Sequence, residues 1–341
     1  MTTIKNAWFI NFTGIGNGVI LTPILSCFEK SFPTSKYFHT QNQLLSDAWF
    51  YDKSKLKNLK GFSSLKHRRF SKEDHSEISS FISGNEINLI VNVRNEGPKY
   101  DLGYYSFKDQ FTSKTDIAFW DLNFNVIENR VTPENLTQDI IDLLSYNRVD
   151  VSQYSSQWLH SVKSNNSIKC VGFGMAASQI NKRWSVAKWT ELGKIILSNT
   201  QSKIVLISGN SEIETNDAKE VLKNLNSNRC ELISHKTLQV VSEIIGGLTT
   251  FISNDTGLLH IAVAIGIPTI GIYISTNPKV WSPLEKISFT FFENSFMELC
   301  PDKKIHCGNC FHYYDVCPPI GEKGDDIKPE NVFEKALEMI S

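Results

Sequence analysis

Ser253-Asn254-Asp255-Thr256-Gly257-Leu258-Leu259-His260-Ile261-Ala262-Val263-Ala264-Ile265-Gly266-Ile267-Pro268 is the stretch on which the fold turns. An apolar strand, Thr249 to Ile252, runs into small polar residues of the kind that cap helices, and Gly257 opens a short apolar helix. A strand that ends where a helix begins turns free backbone N–H groups and the positive end of a helix dipole outward. Such a junction suits a phosphate. Thr256 adds a hydroxyl and His260 a ring N–H. Gly266 and Pro268 stop the helix, and Thr269 to Tyr273 reads as the next buried strand.

Around this unit, strands and helices alternate. Strands are expected at Ile168–Phe173, Lys203–Ser208 and Cys230–Ile233, and helices at Ser185–Ser198, Ser211–Leu225 and Thr237–Leu248. That alternation predicts a parallel, doubly wound sheet. The amino-terminal part starts with a strand, Trp8–Phe12, a glycine-rich turn, Gly14 to Gly18, and an apolar helix from about Val19 to Phe28. Ile87–Val93 is its clearest inner strand. The Ser-, Asn- and Gln-rich run from Tyr146 to Ser167 separates the two parts.

The chain has 341 residues, 41% hydrophobic and 21% charged, with 35 Lys plus Arg against 36 Asp plus Glu. That is globular, long enough for two cores, and carries no general positive field for nucleic acid. A basic stretch from Lys53 to Arg69 reads as a solvated face or as attraction to an anionic acceptor or lipid surface. The start shows no secretory pattern, and the apolar run Leu258–Ser275 is broken by His260, Gly266 and Pro268. A cytoplasmic protein is expected. The glycine turn is not a dinucleotide site: Val19 holds the position of its last glycine, and no acidic residue ends the second strand.

The pattern Asp255, Thr256, Gly257, His260, Ala262, Ala264, Gly266, Pro268 resembles the donor-site signature of glycosyltransferase family 9, the ADP-heptose:lipopolysaccharide heptosyltransferases. Two further segments resemble the same family. Lys182-x-Trp184 with Trp189 beyond it is similar to its donor loop, where Ser178 and Lys182 match phosphate-binding positions and Arg183 adds charge. Gly209 and Glu214 fit the loop after the next strand. There the glutamate either contacts ligand or complements the helix dipole. The turn with Gly16 and the helix Leu21-Thr22-Pro23 match the family's first strand–helix unit.

The resemblance implies the GT-B architecture, two Rossmann-like domains facing a cleft. Residues 1–155 would bind acceptor, 165–325 the nucleotide-sugar, and a helix in 326–341 would pack back on the first domain. It implies inverting transfer of a sugar, usually from ADP-heptose, to a glycan or glycolipid hydroxyl at the inner membrane surface. Family members carry an aspartate as base in the first turn, but this chain has Asn17. An amide is no base near neutral pH, so Asn17 orients the acceptor and a base sits elsewhere, with Glu96 or Asp101 as candidates. Asp255 repels phosphate and is assigned to a sugar hydroxyl or to loop geometry. Without an Asp-x-Asp pair for a divalent ion, the departing diphosphate is left to Lys182, His260 and helix N–H groups. Arg94 either holds an anionic acceptor or forms a salt bridge, and the aromatics from Tyr100 to Phe111 are core or a sugar-stacking lip.

Cys300, Cys307, Cys310 and Cys317 suggest a tetrahedral thiolate site for structural Zn or Fe, or else unligated thiols packed in the tail. A related subfamily, the dodecameric autotransporter heptosyltransferases, carries a cysteine-bound iron. A catalytically impaired sugar-nucleotide-binding protein and a sugar-nucleotide epimerase are the competing readings.

Overall fold

The computed structural model describes residues 3–11, 14–39, 56–62, 74–94, 102–112, 116–122, 135–159, 168–177, 179–292 and 326–340. The chain divides into two compact units, Met1–Ser155 and Ser156–Ser341.

The first unit contains β1 (Asn6–Ile10), α1 (Ile15–Ser31), β2 (Lys36–His39), β3 (Leu59–Phe62), α2 (His75–Gly84), β4 (Ile87–Asn92), α3 (Leu102–Thr112), β5 (Ala118–Asp121) and α4 (Leu136–Tyr146). All strand pairs are parallel, in the order β3-β2-β1-β4-β5. A parallel sheet is covered on both faces, so its inner strands are apolar throughout rather than alternating. Ala7, Trp8, Phe9 and Ile10 are all buried accordingly. Trp8 and Ile10 pack with Ile78, Ile90 and Tyr104 on one side. Phe9 meets Phe28 of α1 edge-on at 5.0 Å on the other.

Here the sequence reading needs one adjustment. The glycine-rich segment is the first turn of α1, because the helix begins at Ile15 rather than near Val19. Gly14 is its N-cap. Gly16, Asn17 and Gly18 are helical despite low propensity, which the apolar face from Val19 to Phe28 offsets by burial.

The second unit contains β6 (Cys170–Gly174), α5 (Val186–Asn199), β7 (Lys203–Ile207), α6 (Glu212–Leu225), β8 (Cys230–Ile233), α7 (Leu238–Gly246), β9 (Thr250–Asn254), α8 (Gly257–Ile265), β10 (Thr269–Tyr273), α9 (Pro278–Trp281), β11 (Ser288–Phe292) and α10 (Pro329–Ile340). Its parallel sheet has the order β8-β7-β6-β9-β10-β11. The winding reverses between β6 and β9, and a doubly wound sheet opens its ligand crevice at that crossover, beyond the carboxyl ends of the strands. The side-chain core gathers Phe173, Trp184, Trp189, Leu206 and Ile252 with Ile327, Val332, Ala336 and Ile340.

The carboxyl-terminal helix α10 packs on α5 and β9 of the second unit. Its apolar positions Val332, Ala336 and Ile340 recur every fourth residue and form one stripe, and that stripe is buried here.

Candidate functional site

Three loops leave the carboxyl edge of the second sheet at the crossover. They follow β6, β9 and β10. Side chains at the end of β9 hold them together. Asn254 is fully buried, its Nδ2 donates to the Met175 carbonyl at 2.9 Å, and its Oδ1 accepts from the Trp184 amide at 3.1 Å. Ser253 Oγ donates to the Gly174 carbonyl at 3.3 Å. The strand therefore runs two residues past Ile252: Ser253 and Asn254 are strand residues whose polar atoms serve the neighbouring loop rather than cap α8. Gly174 has to lack a side chain, because a Cβ there would overlap Ser253 Oγ and the Phe251 ring.

Trp184 closes the loop after β6. Its ring is 3% exposed and meets Trp189 edge-on at 5.1 Å. Sunk in the core, it fixes Lys182 two residues earlier at the end of a 3-10 turn, Ile180–Lys182. Lys182 Nζ lies 2.8 Å from Asp255 Oδ2. Thr276, in the loop after β10, donates to the same oxygen at 2.7 Å. Among the described residues, no hydrogen bond reaches Asp255 Oδ1. Burial would push the Asp255 carboxyl up. The Lys182 ammonium, with hydrogen bonds from Lys182 and Thr276, outweighs that and holds it below the usual carboxylate range.

Asp255 leads into α8. Thr256 is the N-cap of this helix, yet it makes no side-chain cap bond, and its Oγ1 is buried without a partner among the described residues. The helix start is thus open to a ligand acceptor. The far end of α8 is closed by Gly266 in the left-handed region, φ 89°, as the Gly-x-Pro sequence predicts. His260, one turn into α8, is 7% exposed. Burial lowers its pKa to about 4 against the attraction of Asp255, with Lys182 lowering it further. His260 is therefore neutral near pH 7 in this state. It can donate one N–H to an acceptor.

The neighbouring groups are spent on structure. Arg183 Nε donates to the Ala177 carbonyl at 2.8 Å, and its Nη1 lies 3.6 Å from Asp217 on α6. Glu214 and Ser211 form a capping box, with Ser211 Oγ donating to Glu214 Oε2 at 2.6 Å. The Glu214 carboxylate covers the face of Gly209. Glu214 thus serves the start of α6 through Oε2. Ser178 lies outside the described residues, as do Glu96, Asp101, Cys300, Cys307, Cys310 and Cys317.

In the first unit, Asn17 is at the third position of α1, and its carbonyl accepts from Asn11 Nδ2 at 3.0 Å. Gly16 precedes it in the same turn. Arg94 is 1% exposed, with Nε donating to Asn92 Oδ1 at 3.1 Å and its guanidinium 5.2 Å from the Tyr104 ring centre. Asn92 Nδ2 donates to the buried Asp121 at 3.2 Å. Arg94 is thus an internal cation, and Tyr104, Tyr105 and Phe107 are core residues. Sequence reasoning missed Asn254 and Thr276 as organisers of the site. A buried amide at the end of an apolar strand was the available signal for the first, and nothing local marked the second.

Among the described residues, no helix is long and apolar enough to cross a membrane, and no three His, Cys, Asp or Glu gather as a metal cluster.

Comparison with known proteins agrees with this geometry. The family model for glycosyltransferase family 9 (heptosyltransferase) matches residues 136–306. Lipooligosaccharide heptosyltransferase 2 of Campylobacter jejuni is 23% identical over 96% of both chains. Among solved structures, a family 9 glycosyl transferase from Veillonella parvula aligns with TM-score 0.68 and 14% identity, over 100% of this chain and 98% of that one. ADP-heptose lps heptosyltransferase II of E. coli aligns with TM-score 0.63 and 14% identity, over 98% of each. The two parallel sheets and their flanking helices have the GT-B architecture, and this chain belongs to glycosyltransferase family 9.

Proposed function

We propose that the protein moves a heptose from ADP-heptose to a hydroxyl of a cell-surface glycan or glycolipid, with inversion at the anomeric carbon. The observation that carries this reading is Lys182 beside Asp255 at the uncapped start of α8, on the sheet crossover. Lys182 and the first N–H groups of α8 take the donor diphosphate and stabilise it as it departs. Thr256 donates its unpartnered hydroxyl to the same group. Asp255 accepts a donor-sugar hydroxyl through Oδ1. His260 contributes a neutral N–H.

The first unit holds the acceptor, with Asn17 orienting its hydroxyl. The acceptor oxygen bonds to the anomeric carbon, the bond from that carbon to the diphosphate breaks, and the acceptor proton passes to a carboxylate, Glu96 or Asp101. Lysine and helix amides serve in place of a divalent ion, so EDTA leaves the rate unchanged. The four cysteines Cys300, Cys307, Cys310 and Cys317 hold a structural Zn or Fe, and metal analysis of protein purified without chelator tests that separately. The protein works in the cytoplasm, at the inner face of the membrane where its acceptor lies.

Asn17 favours a second reading, a binding protein with little turnover. Product analysis with ADP-heptose, GDP-sugars and UDP-sugars separates the two. Transfer or donor hydrolysis supports the enzyme, and binding without turnover supports the alternative.

A further inference from the structure

Asp255 has two partners on one oxygen, and under the proposed function one of them has a second task. Lys182 Nζ and Thr276 Oγ1 meet Asp255 Oδ2 at 2.8 and 2.7 Å. If Lys182 neutralises the donor diphosphate, it leaves a carboxylate that is 6% exposed. A buried carboxylate without a charged partner is costly and tends to take up a proton. The other groups near it do not replace the lysine. His260 is neutral, and Tyr273, buried on β10, keeps its own proton because burial and Asp255 raise its pKa.

We propose that Thr276 is a positioning residue whose hydroxyl holds the Asp255 carboxylate in place while Lys182 moves from it to the donor diphosphate. The inference rests on the reading of Lys182 as a diphosphate ligand. Local structure suits the task. Thr276 is 5% exposed, in a loop fixed at both ends. Upstream the loop continues the fully buried β10. Downstream Asn277 caps α9 by accepting from the Lys279 amide at 3.0 Å, and Tyr273 Oη reaches back to the Trp281 carbonyl at 3.4 Å. A threonine held this way cannot follow the lysine. It keeps the carboxylate ionised and aimed, so that one oxygen remains available to a sugar hydroxyl after the salt bridge opens.

Calorimetric titration with ADP or UDP, whichever raises the wild-type melting temperature more, tests this in buffers of different ionisation enthalpy. That format reads both affinity and protons taken up. Thr276→Val keeps the shape and removes the hydroxyl. It is expected to weaken nucleotide binding about tenfold, since a hydrogen bond to a charged group is at stake. It also gains proton uptake over wild type, as the unsupported carboxylate protonates when Lys182 leaves. Thr276→Ser restores both quantities. Should the valine variant not fold, Thr276→Ala carries the same expectations.

Wild-type affinity and proton count in the hydroxyl-free variant would overturn the proposal, as would equal loss in Thr276→Ser. Lys182→Ala separates the two levels. If it weakens binding while Thr276→Val does not, only the role of Thr276 fails. If Lys182→Ala binds as wild type does, or neither nucleotide binds wild type, the diphosphate reading fails and this inference with it.

Discussion

The two sheets wind the same way, but their carboxyl edges are finished differently. In the second unit the polar residues at the crossover tie loops together: Asn254 joins Met175 to Trp184, and Asp255 joins Lys182 to Thr276. Their charges converge beside an uncapped helix start. In the first unit the end of β4 is tied to the end of β5, where Asn92 links the buried Arg94 to the buried Asp121. At the end of β1, the Asn11 side chain donates to the Asn17 carbonyl. On one edge a lysine stands beside an uncapped helix start, whereas on the other, among the described residues, Arg94 is buried against Asn92 and Tyr104. A preorganised set of donors is what a departing diphosphate needs.

The largest expected effect lies on the organised edge. Asn254→Ala strands a carbonyl and an amide inside the protein and is expected to cost about 2–5 kcal/mol, read by denaturant unfolding. An equal change in the first unit, Asn17→Ala, is expected to cost less than about 1 kcal/mol, since among the described residues only its backbone carbonyl is engaged. If both substitutions cost the same, the contrast is broken.

Catalysis sharpens it next. Asn17→Asp puts a carboxylate where family members keep their base, and because Glu96 or Asp101 is proposed to take the proton, turnover with ADP-heptose is expected to stay within about threefold. A rise of about tenfold or more would mean that neither of those carboxylates serves as base.

The organised edge is also marked by pH. Because burial depresses the His260 pKa to about 4, the unfolded chain binds more protons between pH 6.5 and 4. Stability contributed by the neutral form is therefore lost as pH falls through that window. Asp255, also depressed, adds loss in the same direction at the acid end. The melting temperature is expected to drop on the order of 5 °C more in wild type than in His260→Gln. An identical drop in both would place the titration elsewhere.

The smallest effect separates structural from ligand-facing glutamates. Glu214→Gln preserves the capping box and should leave ADP affinity within about twofold, whereas Glu214→Ala costs about 1 kcal/mol of stability. A large loss of affinity in Glu214→Gln would return this residue to the ligand.

Much of this was legible in the sequence because it is local. Alternating apolar runs announced the parallel sheets, β8 and β10 have the expected boundaries, and Gly266 stops α8 by a backbone requirement that a sequence displays. What escaped depends on partners distant in sequence. Asn254 looks like a cap beside Gly257, but its amide is claimed by Met175, 79 residues away. Thr276 has no local mark, since its meaning comes from Asp255, 21 residues earlier. The stripe on α10 was readable as apolar, yet a stripe does not name the surface that covers it. The protonation of His260 depends on burial, which no spacing of residues reveals.

The account stands on the lysine of the organised edge. The most direct measurement is the calorimetric Kd for ADP in wild type and in Lys182→Ala, side by side at low salt. A cation lost from a partly buried diphosphate site predicts affinity weaker by on the order of 30-fold, measured at a temperature where both free proteins are folded, since Asp255 also loses its charged partner in Lys182→Ala. An unchanged Kd would contradict the diphosphate site.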